Sequence, residues 1–381
     1  MKILRIADVA DNRTGGMTRA MYGTGDVLVK AGHQVDYIFS DQFHTRGPVQ
    51  LRRFSVPLKV SFLVRQLQRQ GKQYDIVEIH EPLAAVACFL RPLLKGFPPI
   101  VLFSHGLEER SRLVDLEYCK QKGLPVSLKK RYSPLSVVLQ ARYGTRHCSQ
   151  VICLNSRDFK HLIQSGVAES RVTQIQNGVE EELLAISEAM QEDPGRSGVL
   201  FVGSWLVRKG ILDLVPAMTE LLRRHVEIRF TIAGSGAAAD VVLRDFAPDV
   251  QERIAVIPKF AGNAALVDLY RQHSVLVLPS YFEGQPLVML EAAAFGMAIV
   301  ATNIGGIADF VEDKKNGLLV EVGNPGDLAS KLEKVSTDCQ FARHLGSAAR
   351  ATVETYTWTQ SAHLTLQAYE KAILIAGQKK H

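Results

Sequence analysis

Residues 275–296, VLVLPSYFEGQPLVMLEAAAFG, decide the fold. Val275–Leu278 is a short apolar run of the length of a buried strand. A polar loop follows, and Pro286 stands where it tolerates the first turn of a helix. Leu287 to Phe295 then reads as that helix. A buried strand, a loop and a helix in this order is one step of a parallel α/β sheet.

Working outward, the same step recurs on both sides. Ile3–Ala7, Val35–Phe39, Ile76–Ile79, Ile100–Phe103 and Val151–Leu154 read as strands in the first half. Helices are expected between them, including Val60–Leu67, Leu83–Leu94 and Phe159–Gln164, the last with Ser156 as N-cap. Residues 107–147 fit the pattern poorly; they are basic, weakly periodic and able to hold inserted helices. Residues 187–198, SEAMQEDPGRSG, are polar and lack apolar periodicity, which predicts a linker. After it the alternation restarts with strands at Val199–Val202, Ile228–Ala233 and Ile254–Ile257. The chain therefore reads as two Rossmann-like α/β domains in series, 1–186 and 199–359, with ligands expected at the carboxyl ends of the strands.

Composition agrees and narrows the partners. The 381 residues are 46% hydrophobic and 22% charged, which excludes a disordered or fibrous chain. The net charge of +6 is unevenly spread. Residues 1–190 carry 26 basic and 18 acidic side chains, net +8, and residues 191–381 carry 19 and 21, net −2. The window 42–147 alone reaches net +11. A basic half predicts an anionic partner there, with a merely solvated face as the alternative. No nucleic-acid motif accompanies the charge, so nucleic acid is not expected. The five cysteines form no C-x-x-C pair, which suits a reducing compartment. The N-terminal apolar run is broken by Asp8 and reads as a strand, not as a signal peptide, so a cytoplasmic protein is expected.

The loops supply the chemistry. Glu283 lies just past the strand Val275–Leu278, and Glu291 lies further along the following helix. The amides of Gly284, Gln285 and Leu287, around Pro286, would form a helix N-terminus, which favours an anion. Arg208 and Lys209 follow another strand-and-glycine turn and can neutralise a diphosphate. A carboxylate on the helix can accept ribose hydroxyls. Together these residues suit a nucleotide diphosphate; apart, each could be ordinary surface. Ala233–Gly236 and Gly305-Gly306 are further glycine turns after strands.

Read together, VGSWLVRKG (202–210), IAGSG (232–236), LPSYFEGQPLVMLEA (278–292) and GGIADFVEDKKNGLLV (305–320) resemble the retaining glycosyltransferases of family 4. Asn177-Gly178-Val179, Gly15-Gly16-Met17 and Ser104-His105-Gly106 extend the likeness over nearly the whole length. The resemblance implies the GT-B architecture, two Rossmann-like domains facing across a central cleft, with the last helix (about 360–381) packed back on the first domain. It implies a nucleotide diphosphate sugar as co-substrate, and no cofactor or metal. Lys209 and Arg208 would hold the diphosphate, Glu291 the ribose, and Glu283 the transferred sugar. Gly284, Gln285, Pro286 and Leu287 would line the phosphate, which Gly16 approaches from the first domain. His105 would lie beside the sugar ring, and it and Glu283 are the catalytic candidates.

Two departures stand out. Ser204 occupies a position where the family often has Arg, and Gln285-Pro286 replaces Phe-Gly. The acceptor is expected on the basic first domain, as a glycan or lipid-linked molecule. Val60, Leu63, Val64 and Leu67, interleaved with Arg65 and Arg69, suggest peripheral binding to an anionic inner leaflet, as do Arg52-Arg53, Lys72 and Lys129-Lys130-Arg131. A core-facing helix is the alternative. Other activities weighed are a nucleotide-sugar epimerase on the same fold and a non-catalytic nucleotide-sugar-binding protein. A dehydrogenase is disfavoured because the first loop lacks G-x-G-x-x-G.

Overall fold

A computed structural model describes residues 1–13, 15–43, 49–121, 135–188, 196–260 and 262–378. The chain divides into two units, Met1–Asn177 with Trp358–His381, and Gly178–Thr357. The boundary falls between Asn177 and Gly178, ahead of the stretch read as a linker, whose residues 189–195 lie outside the described ones. Helix Glu181–Glu188 already belongs to the second unit.

The first unit holds β1 (Lys2–Ile6), β2 (Gln34–Ile38), β3 (Ile76–His80), β4 (Ile100–Phe103), β5 (Gln150–Cys153) and β6 (Val172–Gln174). They pair in parallel in the order β2-β1-β3-β4-β5-β6. The second unit holds β7 (Val199–Val202), β8 (Phe230–Ala233), β9 (Ile254–Ile257), β10 (Val275–Leu278), β11 (Ala298–Thr302) and β12 (Leu318–Val320). Their order is β12-β11-β10-β7-β8-β9, again parallel.

Each strand order reverses once, between β1 and β3 in the first sheet and between β7 and β10 in the second. Loops leaving the carboxyl ends of those neighbours diverge to opposite faces and open a crevice, the usual ligand position of such sheets. The loops after β1, β7 and β10 are the ones that carry Gly16, Arg208-Lys209 and Glu283.

Parallel sheets covered on both faces need strands that are apolar throughout. Val275, Leu276 and Val277 are fully buried, and their side chains alternate between two cores. In the first sheet Leu4, Ile6, Val77 and Ile79 face one core, while Ile3 and Ile76 face the other. That second core is closed by helix Trp358–Gln378, part of the first unit. Trp358 lies against Gly23, where a Cβ would come within 2.5 Å of the indole.

Of three local expectations, the inserted helices are met and the other two are corrected. Asn155, not Ser156, caps helix Ser156–Gln164, its side chain accepting from the Asp158 amide at 2.8 Å. The poorly periodic region holds helices Glu108–Gln121 and Leu135–His147, with 122–134 outside the described residues. Helix Val49–Arg69 is longer than its periodic core suggested. Val60 and Val64 on it are fully buried, and Leu63 and Leu67 pack against the same core, so that face meets the sheet and not an interface. Lys129, Lys130 and Arg131, and the side chains of Arg52 and Arg53, lie outside the described residues.

Candidate active site

In the second unit three loops are laced together at the end of the sheet. After β7 the chain makes a short 3-10 turn, Val207–Lys209, and Gly210 follows at φ +79°. A Cβ on Gly210 would sit 1.8 Å from the Pro279 carbonyl oxygen, so only glycine lets the two loops touch. The Tyr281 amide donates to the Arg208 carbonyl at 2.9 Å. On the other side the Gly306 amide donates to the Gly284 carbonyl at 2.6 Å, and Thr302 Oγ1 donates to the Ser280 carbonyl at 2.5 Å. A Cβ on Gly305 would lie 2.0 Å from the Glu283 carbonyl oxygen. The loop carrying Glu283 is thus clamped between the turns at 208–210 and 302–306.

This clamp sets the side chains. Lys209 Nζ lies 2.5 Å from Glu283 Oε1, with the two side chains 18% and 11% exposed. Ser280 Oγ donates to the same carboxylate oxygen at 2.8 Å. Arg208, on the same turn as Lys209, is exposed. Pro286 precedes helix Leu287–Ala294 as its N-cap residue rather than entering the first turn. Gln285 and Leu287 are buried, and Gly284 is held by Gly306. Glu291, 4% exposed, accepts from the Tyr270 hydroxyl at 2.7 Å through Oε2. The structure therefore brings Lys209 and Glu283 into contact, leaves Arg208 exposed on the same turn as Lys209, and puts Glu291 on the following helix. Ser280 and Tyr270 were not singled out in the sequence; a hydroxyl three residues before a loop carboxylate is the signal that could have found Ser280.

In the first unit Gly16 opens helix Gly16–Lys30 after β1, and a Cβ there would meet nothing within 4 Å. His105 follows β4, with Nε2 2.9 Å from Nδ1 of His80 at the end of β3. Burial, then the neighbouring His80, pushes the His105 imidazole well below its ordinary range. His80, Glu78 and Arg5 escaped the sequence reading, although a polar residue inside an apolar strand run is a usable flag.

Glu81 adjoins this loop, its Oε2 accepting from Ser104 Oγ at 2.6 Å. Burial pushes its carboxyl up to about 8, against the pull of the Ser104 hydrogen bond. The folded chain then holds a proton that the unfolded chain releases at the ordinary carboxylate value. Its stabilising share is full below that value and is lost as pH rises toward about 8. Glu81→Gln is therefore expected to stabilise the protein more at pH 8 than at pH 5, by on the order of 3–4 kcal/mol. Thermal unfolding at the two pH values checks this; an equal effect at both would count against it.

Sequence comparison identifies the family. Residues 14–183 match the model of glycosyltransferase family 4, and residues 196–338 match that of glycosyl transferases group 1. An uncharacterised glycosyltransferase of Methanocaldococcus jannaschii is 30% identical over 400 aligned positions that cover 96% of each chain. A D-inositol 3-phosphate glycosyltransferase of Paenarthrobacter aurescens is 33% identical over 184 residues, 47% of this chain and 45% of that one. Sucrose-phosphate synthase from Thermosynechococcus elongatus has the same fold, with a TM-score of 0.77 at 20% identity and 99% of both chains covered. So does HepE of Anabaena in complex with UDP and glucose, with a TM-score of 0.69 at 18% identity and 97% and 99% coverage. With two parallel Rossmann-like sheets of the GT-B type, the chain belongs to the family 4, group 1 glycosyltransferases.

Proposed function

We propose that the protein is a retaining, metal-independent hexosyltransferase. It moves a sugar from a nucleotide diphosphate sugar, UDP- or GDP-linked, to a glycan or lipid-linked acceptor in cell-surface polysaccharide or glycolipid synthesis. The observation that carries this reading is the half-buried Lys209–Glu283 contact where the second strand order reverses.

Each residue has one task. Lys209, with Arg208, offsets the charge that grows on the leaving diphosphate. Such stabilisation, in place before the reaction, is commonly the largest contribution to rate. The amides at the start of helix Leu287–Ala294 add to it. Glu283 accepts hydroxyls of the transferred sugar, and Glu291 those of the ribose. Gly16 leaves room for the diphosphate, and His105 contacts the sugar. The acceptor oxygen bonds to the anomeric carbon as the bond from that carbon to the phosphate oxygen breaks. The leaving diphosphate takes the acceptor proton on the same face, so configuration is kept. No protein nucleophile, resident cofactor or metal enters this scheme.

The test is a panel of UDP-, GDP- and ADP-sugars, with the released sugar followed by proton NMR. One α-linked donor is expected to yield nucleoside diphosphate and α-configured sugar first. Initial β-sugar would overturn retention, and an epimerised sugar would favour the epimerase alternative.

The acceptor side of the reading includes a membrane surface on the cytoplasmic side. No helix among the described residues is long and apolar enough to cross a membrane. Helix Val49–Arg69, however, exposes Phe54, Leu58 and Phe62 at a spacing of four, opposite its buried valines. Arg65 and Gln68 bond to the carbonyls of Lys95 and Gly96, and Leu93 ahead of them is exposed as well. Arg69 and Lys72 are exposed at the end of the helix. Apolar anchors flanked by cations suit an anionic leaflet. Phe54→Asp with Phe62→Asp is expected to lower flotation with phosphatidylglycerol vesicles severalfold at low salt. Equal flotation of the variant and the parent would contradict this membrane contact.

A further inference from the structure

Behind His105 runs a buried chain of polar side chains that the scheme above does not use. Arg5 and Glu78 are register partners on β1 and β3, so both project to the same face of the sheet. They lie 3.2 Å apart, each 1% exposed. Arg5 also donates to the Met21 carbonyl at 2.6 Å and to Thr24 Oγ1 at 2.8 Å. Tyr369, on the C-terminal helix, donates its hydroxyl to Glu78 Oε2 at 2.7 Å and accepts from Arg5 at 3.0 Å. His80 Nε2 is 3.1 Å from Glu78 Oε1, and His80 Nδ1 is 2.9 Å from His105 Nε2. The two imidazoles are within 10° of parallel with centroids 4.9 Å apart. The nitrogen contact is so much shorter than the centroid separation that both nitrogens lie between the rings, which is the geometry of an in-plane hydrogen bond.

The protons can be placed from the acid end. Burial works against an ionised Glu78, but Arg5, His80 and Tyr369 together outweigh it and hold the carboxyl well below its ordinary range. An ionised carboxylate only accepts, so His80 donates from Nε2. With one proton on that ring, Nδ1 accepts, and His105 donates from Nε2. The lone pair of His105 is then on Nδ1.

We propose that Glu78 and His80 are positioning residues that lock His105 as its Nε2–H tautomer, leaving Nδ1 to accept a hydrogen bond from a hydroxyl of the transferred sugar. The lock is a property of the first unit alone. Its use in turnover rests on the reading that His105 contacts the donor sugar.

The experiment labels the imidazole nitrogens of the full chain and reads tautomers by long-range proton–nitrogen correlation, with His105 assigned from the H105Q spectrum. The wild type is expected to carry the His105 proton on Nε2. His80→Phe keeps an aromatic ring against Phe103 but removes the acceptor, and is expected to give mixed or reversed tautomers. His80→Leu, likewise without an acceptor, serves as the second variant should the first not fold. A wild-type proton on Nδ1, or an unchanged tautomer in either folded variant, overturns the lock. In donor hydrolysis with the sugar-nucleotide panel, H80F is expected to lower kcat by about tenfold with KM unchanged. It should add no further loss in an H105A background. Additive losses overturn the claim that His80 acts through His105. Full turnover in H105A overturns the use of Nδ1 by the sugar, while the spectra still decide the lock.

Discussion

Lys209→Ala is expected to lower kcat/KM for the sugar-nucleotide donor by about 10²–10³-fold, the range seen when one group stabilising a developing oxyanion is removed. Two effects combine. The variant loses a cation that is only 18% exposed, where charge is screened less than in open solvent. It also leaves the Glu283 carboxylate, now without its 2.5 Å partner, as a negative charge beside the incoming diphosphate. Glu283→Gln should behave differently. It keeps an acceptor for Ser280 and releases Lys209, so nucleoside diphosphate affinity should hold while kcat falls. Steady-state kinetics of the two variants separate a phosphate contact from a sugar contact. Undiminished turnover in Lys209→Ala would remove Lys209 from the donor site.

Arg5→Met is expected to destabilise the first unit by about 3–5 kcal/mol, the cost of removing one partner of a buried ion pair. The size follows from what is left behind. Glu78 would be buried at 1% exposure with Tyr369 and His80 still bonded to it but no cation. The carbonyl of Met21 and the hydroxyl of Thr24 would lose the guanidinium that now reaches them. Arg244→Ala is the matching control. Its pair with Asp240 is 72% and 70% exposed within one helix face, so denaturant unfolding should move little. A similar, small change for both variants would show that the Arg5 network contributes no more than a surface pair.

The alternation of strands and helices was legible because each strand is an apolar run bounded by glycine, proline or polar loops. Strands of three residues, Val172–Gln174 and Leu318–Val320, were not, since so short a run carries no period. Lys209 and Glu283 could be singled out because each stands in a loop directly after a strand. Their contact depends on Gly210, Gly305 and Gly306 letting three loops touch, which spacing alone does not reveal. Helix Val49–Arg69 misled for a different reason. It has apolar residues on two faces, and periodicity does not say which one meets the sheet. The chain from Arg5 through Glu78 to Tyr369 was hidden because it joins β1, β3 and the C-terminal helix. Tyr369 and Glu78 stand 291 residues apart in sequence.

The most direct test of the donor site is calorimetric titration of UDP, GDP and ADP into the full chain and its Lys209→Ala and Glu291→Gln variants. At least one nucleoside diphosphate is expected to bind the parent and to lose affinity in both variants. Binding of none of the three, or equal binding by the parent and both variants, would contradict a nucleotide-sugar site built from Lys209, Glu283 and Glu291.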